Sequence, residues 1–419
     1  MLGDFFCLSL AGDGAKLSVD VRANLQPQSA EKDAPIMNTS TSALSGSDNY
    51  GERVSTRIVF LITGIVMSAW APLVPLVKTR TGLDDGGLGL LLLVFGIGSI
   101  VAMPFAGYLT ARFGCRPVIV ASTIALCAVL PLLSYLAWLP GLALAVLVFG
   151  ASMGMLDCAI NIQSIIVEKN SGETLQSGFH GLYSVGGIAG AGAMTAMLSL
   201  GLDPLPSVLC LVAIILAALY KAAPSLLPYG TERDGPLFAI PRGIVLLLGS
   251  LCFIVFLTEG AMLDWSAVFL ASQRDMQPSY AGLGYACFAA AMTLGRLTGD
   301  AIVSRLGGRR VVALGGICAA VGMLVSLALD SWQAALLGYA LVGIGCSNIV
   351  PVLFTAAGRQ QHMPQRTAIP AIISMGYAGI LMGPAFIGMV AHVSTLVVAL
   401  GGLIVLLLFV SYAARFLKA

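Results

Sequence analysis

The residues best able to do chemistry in this chain are a few polar side chains set in long apolar runs. Asp157 is followed at i+4 by Asn161, and Gly150 and Gly154 precede it on the same helical face. Glu259 shares a face with Leu263 and Ser266, whereas Asp264, five residues on, is rotated by about 140°. Arg296 and Asp300 stand at i and i+4. An ionisable group in mid-membrane is unfavourable unless it is paired or lines a wet cavity, so each of these is a candidate functional group. Burial of a carboxyl favours its neutral form, which suits reversible protonation. Two roles stand open for Asp157: a proton or solute site, or a carboxylate hydrogen-bonded across the bundle to fix helix register.

Glu259 reads as a cavity-lining proton site, and Asp264 with Trp265 as an outer-gate element; the plain alternative for either is a carboxylate snorkelled to an interface. Arg296 and Asp300 read as an intrahelical ion pair near a helix end, with a substrate clamp as the other option. Asn161, Gln163 and Asn348 could offer hydrogen bonds to a solute, and Trp70 could stack on a ring or simply fill space. His180, four residues into its span, reads as a helix-end hydrogen-bonding residue ahead of a proton relay.

The elements that carry these residues follow from composition. Of 419 residues, 58% are hydrophobic and only 10% charged, and the mean hydropathy is +0.93. A soluble domain would dilute such a value, so the chain reads as a polytopic membrane protein. The apolar runs are about twenty residues long and unalternating, which points to helices and away from a barrel of ten-residue dyad strands. A net charge of +2 offers no nucleic-acid footprint. The nine cysteines form no CxxC pair and read as packing residues. No phosphate-binding loop, metal cluster or nucleophile–base pair occurs, so neither ATP drive, a cofactor nor an enzyme activity is expected.

Twelve apolar segments are counted, at about 57–77, 86–109, 116–137, 141–167, 176–200, 205–222, 242–271, 279–303, 310–329, 332–357, 367–391 and 394–416. Residues 1–53 read as a disordered polar tail, and Met37 is a plausible true start. The tail, the even-numbered loops and the C-terminus hold 18 of the 22 Lys and Arg, which predicts that both termini are cytoplasmic. The interruption 224–241, with its prolines and with Glu232, Arg233 and Asp234, divides a half at 54–223 from a half at 242–419.

An internal repeat supports that division. Arg112-Phe-Gly114-Cys-Arg116 follows the second span, and Arg305-Leu-Gly307-Gly-Arg309 follows the eighth, 193 residues later. Gly150 and Gly343 stand at the same offset.

Residues 107–116, Gly-Tyr-Leu-Thr-Ala-Arg-Phe-Gly-Cys-Arg, resemble the loop between spans 2 and 3 of the major facilitator superfamily. The resemblance covers essentially all of 54–419. It implies an all-α membrane fold of two pseudo-symmetric six-helix halves, with Gly107, Arg112, Gly114, Arg116, Arg305 and Arg309 in gating loops, joined there by Asp264, Arg296 and Asp300. Ala111 replaces the family's usual Asp and Ser304 stands at its repeat, which puts the usual gating latch in doubt. Trp70-Ala-Pro72, the span-4 string from Gly150 to Gln163 and Glu259-Gly-Ala-Met-Leu-Asp264-Trp265 are similar to the MosC/YbjJ-like subgroup, neighbour to proton-coupled sugar symporters.

The expected protein is therefore a proton-coupled symporter of a small polar, sugar-like solute, working by alternating access as a monomer in the bacterial inner membrane. Its partners are the solute, protons and the lipid bilayer. An efflux antiporter and a non-transporting sensor on the same fold stand as alternatives.

Overall fold

The computed structural model describes residues 49–417 apart from 233–235, 237–239 and 278–279. Residues 1–48, including the suggested start at Met37, and the linker charges Arg233 and Asp234 lie outside the described residues. Every regular element among those described is helical.

The helices are α1 (Asn49–Ala69), α2 (Val74–Thr81), α3 (Asp85–Phe113), α4 (Cys115–Tyr135), α5 (Leu139–Ser171), α6 (Gln176–Ser199) and α7 (Pro204–Ala222). After the linker come α8 (Ile244–Gln273), α9 (Leu283–Leu306), α10 (Gly308–Ala328), α11 (Trp332–Ser347), α12 (Ile349–Arg359), α13 (Gln365–Val393) and α14 (Leu396–Ala413). Helix α1 starts at Asn49, inside the segment that composition assigns to the tail.

Two spans are broken where their prolines require it. Pro72 and Pro75 lack the amide that would continue α1, so a short 3-10 turn at Ala71–Leu73 leads into α2. Pro351 likewise leaves the Ser347 carbonyl without its helical donor, and the chain breaks at Asn348 between α11 and α12. Among the described residues eleven spans are long and apolar enough to cross a membrane, and α13, bent by 41° between Gly383 and Ala385, makes a twelfth when taken as one span. An even number of crossings brings Asn49 and Leu417 to one end of the bundle, called here the terminal end.

The two sets of helices repeat one packing scheme. Helix α1 packs on α6 as α8 packs on α13, and α3 packs on α5 as α9 packs on α11. A side chain at Gly150 would run into the Phe95 carbonyl, and one at Gly343 into the Phe288 carbonyl. Both pairs are separated by the repeat offset of 193, so the glycines permit the same close backbone approach twice. Arg80 donates to the carbonyls of Leu133, Ser134 and Leu136 at the end of α4, while Arg274 donates to those of Ser326 and Leu327 at the end of α10. Each guanidinium thus closes a helix C-terminus whose carbonyls have no intrahelical donor. Large apolar side chains such as Leu90, Val101, Leu144, Ile188, Leu294 and Val405 face outward, as a lipid solvent requires.

The halves meet chiefly along two crossings, α3 with α13 and α6 with α9, with α12 adding contacts to α5 and α6. At the terminal end, Gly107 lies against the Arg366 carbonyl, which Pro370 leaves without a helical donor, and Gly178 lies against Asp300. Near mid-span, the Ser374 hydroxyl meets the Met103 sulfur at 3.4 Å on one crossing, and Ser184 meets Arg296 on the other.

Candidate functional site

The polar layer between the halves is built from α5 and α6 on one side and α8, α9 and α13 on the other. Arg296 is its hub. Its Nη2 lies 3.3 Å from Glu259 Oε1 of α8, and its Nη1 donates to Ser184 Oγ of α6 at 3.0 Å. Its Nε points at the Ser347 carbonyl at 3.4 Å, the same carbonyl that Pro351 leaves without a donor. The guanidinium therefore ties three helices of its own half to one of the other half.

Asp157 of α5 has a different neighbour. The Tyr377 hydroxyl of α13 lies beside its carboxyl across the interface. Tyr183 of α6 lies within electrostatic reach of Asp157, Arg296 and Glu259, and Tyr285 of α9 within reach of Glu259, Arg296 and Asp264. Two carboxylates, one guanidinium, three tyrosines and a serine thus share one layer.

The expected ion pair between Arg296 and Asp300 is not what these side chains form. Arg296 turns inward to Glu259, and Asp300 turns to the other half. Asp300 Oδ2 accepts from the Gly178 amide at 3.0 Å, and its backbone carbonyl accepts from Thr174 Oγ1 at 2.9 Å. The open first turn of α6 presents unpaired N–H groups, and a carboxylate at a helix N-terminus is a stronger partner than a crowded i,i+4 pair. Glu168, from the end of α5, accepts from the amides of Leu175 at 2.8 Å and Gln176 at 3.0 Å, and Thr355 of α12 donates to it. The start of α6 is held by one carboxylate from each half, an arrangement that sequence spacing did not suggest.

Gln163 also departs from its expected role. Its Nε2 donates to Thr56 Oγ1 at 2.9 Å, and its Oε1 accepts from the Leu227 amide at 3.2 Å. Both ends of the amide fasten α5 to α1 and to the segment after α7, and the side chain is buried there. Trp70 is buried at the break in the first span, tilted on Phe149 with ring centres 6.4 Å apart. Asn161 donates to the Asp157 carbonyl at 2.8 Å and keeps a buried Oδ1 without a partner. Asn348 donates to the Gly295 carbonyl and to Ser347 Oγ, each at 3.0 Å, and its Oδ1 is likewise unpartnered.

His180 hydrogen-bonds Gln176 O through Nδ1 at 2.8 Å and sits between Phe60 of its own half and Phe354 of the other. Asp264 is exposed one turn and a half beyond Glu259 on unbroken α8, on a different face, as the helical period requires.

The loop residues occupy the terminal end. Gly114 adopts φ +92° against the Pro228 carbonyl, where a side chain would fit neither the backbone nor the space. Arg116 donates through Nε to the Leu226 carbonyl at 3.0 Å and through Nη2 to the Pro224 carbonyl, and Arg112 donates to the Tyr108 hydroxyl at 3.1 Å. Ala111 is 6% exposed beneath Gly230, which explains why no carboxylate stands there. Arg305 and Arg309 are exposed.

Tyr183, Ser184, Tyr285 and Tyr377 were missed by sequence reasoning, which weighed charged groups and amides ahead of hydroxyls. Hydroxyls deep within apolar spans were the available signal, because such a group in hydrocarbon needs a partner.

A family model described as "Major Facilitator Superfamily" matches residues 57–263. An uncharacterised MFS-type transporter of Yersinia pestis is 54% identical over 365 residues, covering 87% of this chain and 95% of that protein. Membrane protein MosC of Rhizobium meliloti is 30% identical over 350 residues, covering 82% and 85%. Among solved structures, the fucose:proton symporter FucP of E. coli superposes with a TM-score of 0.76 at 15% identity, over 89% of this chain and 100% of that one. A human organic anion transporter follows at a TM-score of 0.67 and 12% identity, over 87% and 99%. With twelve crossings, a repeated packing scheme and relatives that match nearly end to end, the chain belongs to the major facilitator superfamily of transporters and resembles MosC.

Proposed function

We propose that this protein is a proton-coupled symporter that imports a small polar solute across the bacterial inner membrane by alternating access, with Asp157 as the proton carrier. The observation that carries this reading is a carboxyl set inside the bundle with a neutral hydroxyl, Tyr377 of the opposite half, as its neighbour across the interface. A carboxylate taken out of water is stabilised by a cation or by protonation. Glu259 has a cation in Arg296, whereas the partner given to Asp157 is a neutral hydroxyl. Asp157 is thus the group whose charge must be settled by a proton before it can cross the membrane interior.

Tyr377 belongs to the opposite half, so protonation of Asp157 and the relative position of the halves are coupled where the two side chains meet. A phenol donates to a carboxylate and can also accept from a carboxylic acid, so Tyr377 can serve both protonation states. Asn161, one turn along with a free Oδ1, and the hydroxyls of Tyr183 and Tyr285 supply hydrogen bonds to a hydroxylated solute. The grip of Glu168 and Asp300 on the start of α6 acts as the cytoplasmic gate, and both termini lie on that side. FucP, whose fold this chain shares, is itself a fucose:proton symporter.

The test is uptake into proteoliposomes under an imposed pH gradient, with fucose, galactose and related polyols as probes. Solute-dependent alkalinisation outside supports import with protons. Solute-dependent acidification outside on solute entry, or alkalinisation outside when solute is expelled, supports an antiporter instead.

A further inference from the structure

Arg296 is a basic side chain set in the middle of a crossing, and it is 8% exposed. Two other guanidinium groups serve helix ends: Arg80 closes α4 and Arg274 closes α10. A guanidinium at a transport site is the natural receptor for a carboxylate or phosphate, since it can present two parallel donors. In this protein that receptor is already occupied. Nη1 is held by Ser184 Oγ, Nε by the Ser347 carbonyl, and Nη2 by Glu259 Oε1. At 17%, the Glu259 side chain is the more exposed of the pair.

The remaining titratable groups facing this pair do not restore a positive field. Tyr183 and Tyr285 are neutral phenols, His180 donates to a backbone carbonyl, and Asp157 and Asp264 are acids. An approaching anion therefore meets carboxylates, while a neutral hydroxylated solute meets hydroxyls and amides.

We propose that Glu259 is the charge-selectivity residue of the site: it masks Arg296, so the transporter admits neutral solutes and turns away anionic ones. This rests on the reading of the chain as a solute transporter, and it deepens that reading by naming the substrate class. It also assigns the two buried carboxyls different work, coupling to Asp157 and discrimination to Glu259.

The test reads the local field without needing the solute. A reporter thiol is placed by Tyr285→Cys, a position 37% exposed and within reach of Glu259 and Arg296, in the full chain with its native cysteines replaced. Its rates of modification by an anionic and a cationic methanethiosulfonate are compared. With Glu259 present the cationic reagent reacts faster. Glu259→Gln raises the anionic-to-cationic rate ratio by at least about tenfold, because one unit charge is removed beside the reporter. Adding Arg296→Gln to Glu259→Gln returns the ratio towards its starting value, and if Glu259→Gln folds poorly the double variant is compared with Arg296→Gln alone, over which its ratio is raised by a similar factor. A ratio that already favours the anionic reagent, or one that moves less than twofold on Glu259→Gln, overturns the proposal. Neither result depends on proton coupling, which Asp157→Asn tests separately.

Discussion

Arg296 donates to the Ser184 hydroxyl across the interface at 3.0 Å, at the level where the other crossing has Met103 against Ser374. Arg296 and Met103 are 193 residues apart, the offset of the repeat. One ancestral position therefore carries an apolar side chain in the first half and a guanidinium in the second. The halves share their packing scheme, and the chemistry has been placed on one of the two crossings.

That placement predicts an energetic coupling. Arg296→Met leaves Glu259 buried without its cation, and Glu259→Gln leaves Arg296 without its anion. Either change is expected to destabilise the protein by about 3–5 kcal/mol, the range for breaking a buried pair. Replacing both by Met should recover most of the loss. Melting of the four purified proteins in one detergent checks this, and additive losses in the double variant would contradict the pairing.

The terminal-end gate gives a second prediction. Asp300→Asn replaces a carboxylate acceptor at the α6 amides with a weaker neutral one, a loss of about 1–3 kcal/mol. The closed-gate population should fall, and a cysteine introduced by Ser177→Cys should label about tenfold faster from the terminal side. Glu168→Gln should act in the same direction. Unchanged labelling would show that the gate is held elsewhere.

Close approach of backbones gives a third. Gly150→Val and Gly343→Val each force a side chain into a carbonyl of the neighbouring helix, Phe95 in one case and Phe288 in the other. Both should abolish the folded, monodisperse fraction in size-exclusion chromatography. Gly192→Val, with open space where its side chain would lie, should not.

Tyr377→Phe removes one hydroxyl from the interface and little volume. A single hydrogen bond contributes about 0.5–1.5 kcal/mol, so pH-gradient-driven uptake should slow by roughly twofold to tenfold with the melting temperature nearly unchanged. Uptake at the original rate would remove Tyr377 from the coupling site.

Much of this was legible in the residues. Long apolar runs place the crossings, and the matched glycines announce the repeat because backbone packing is a local property of small residues; the breaks beside Pro72 and Pro351 were not read, since an apolar run looks continuous across a proline. Asp157, Glu259 and Arg296 stand out because charge is rare in these spans. Their partners were not legible. Spacing along one helix suggested Arg296 with Asp300, but the bonds run between helices, and side-chain reach across a bundle depends on crossing geometry that a single strand of sequence does not carry. Gln163 was misread for the same reason: its two partners, Thr56 and the Leu227 amide, are distant in the chain. The tyrosines escaped because hydroxyls add no charge to a census.

The central claim is that Asp157 carries the coupled proton, and the most direct measurement is transport by Asp157→Asn in proteoliposomes. The account predicts that accumulation driven by an imposed pH gradient is lost while solute counterflow at equal pH continues, since the neutral amide mimics the protonated acid and exchange needs no net proton movement. Normal pH-gradient-driven accumulation by Asp157→Asn would contradict it.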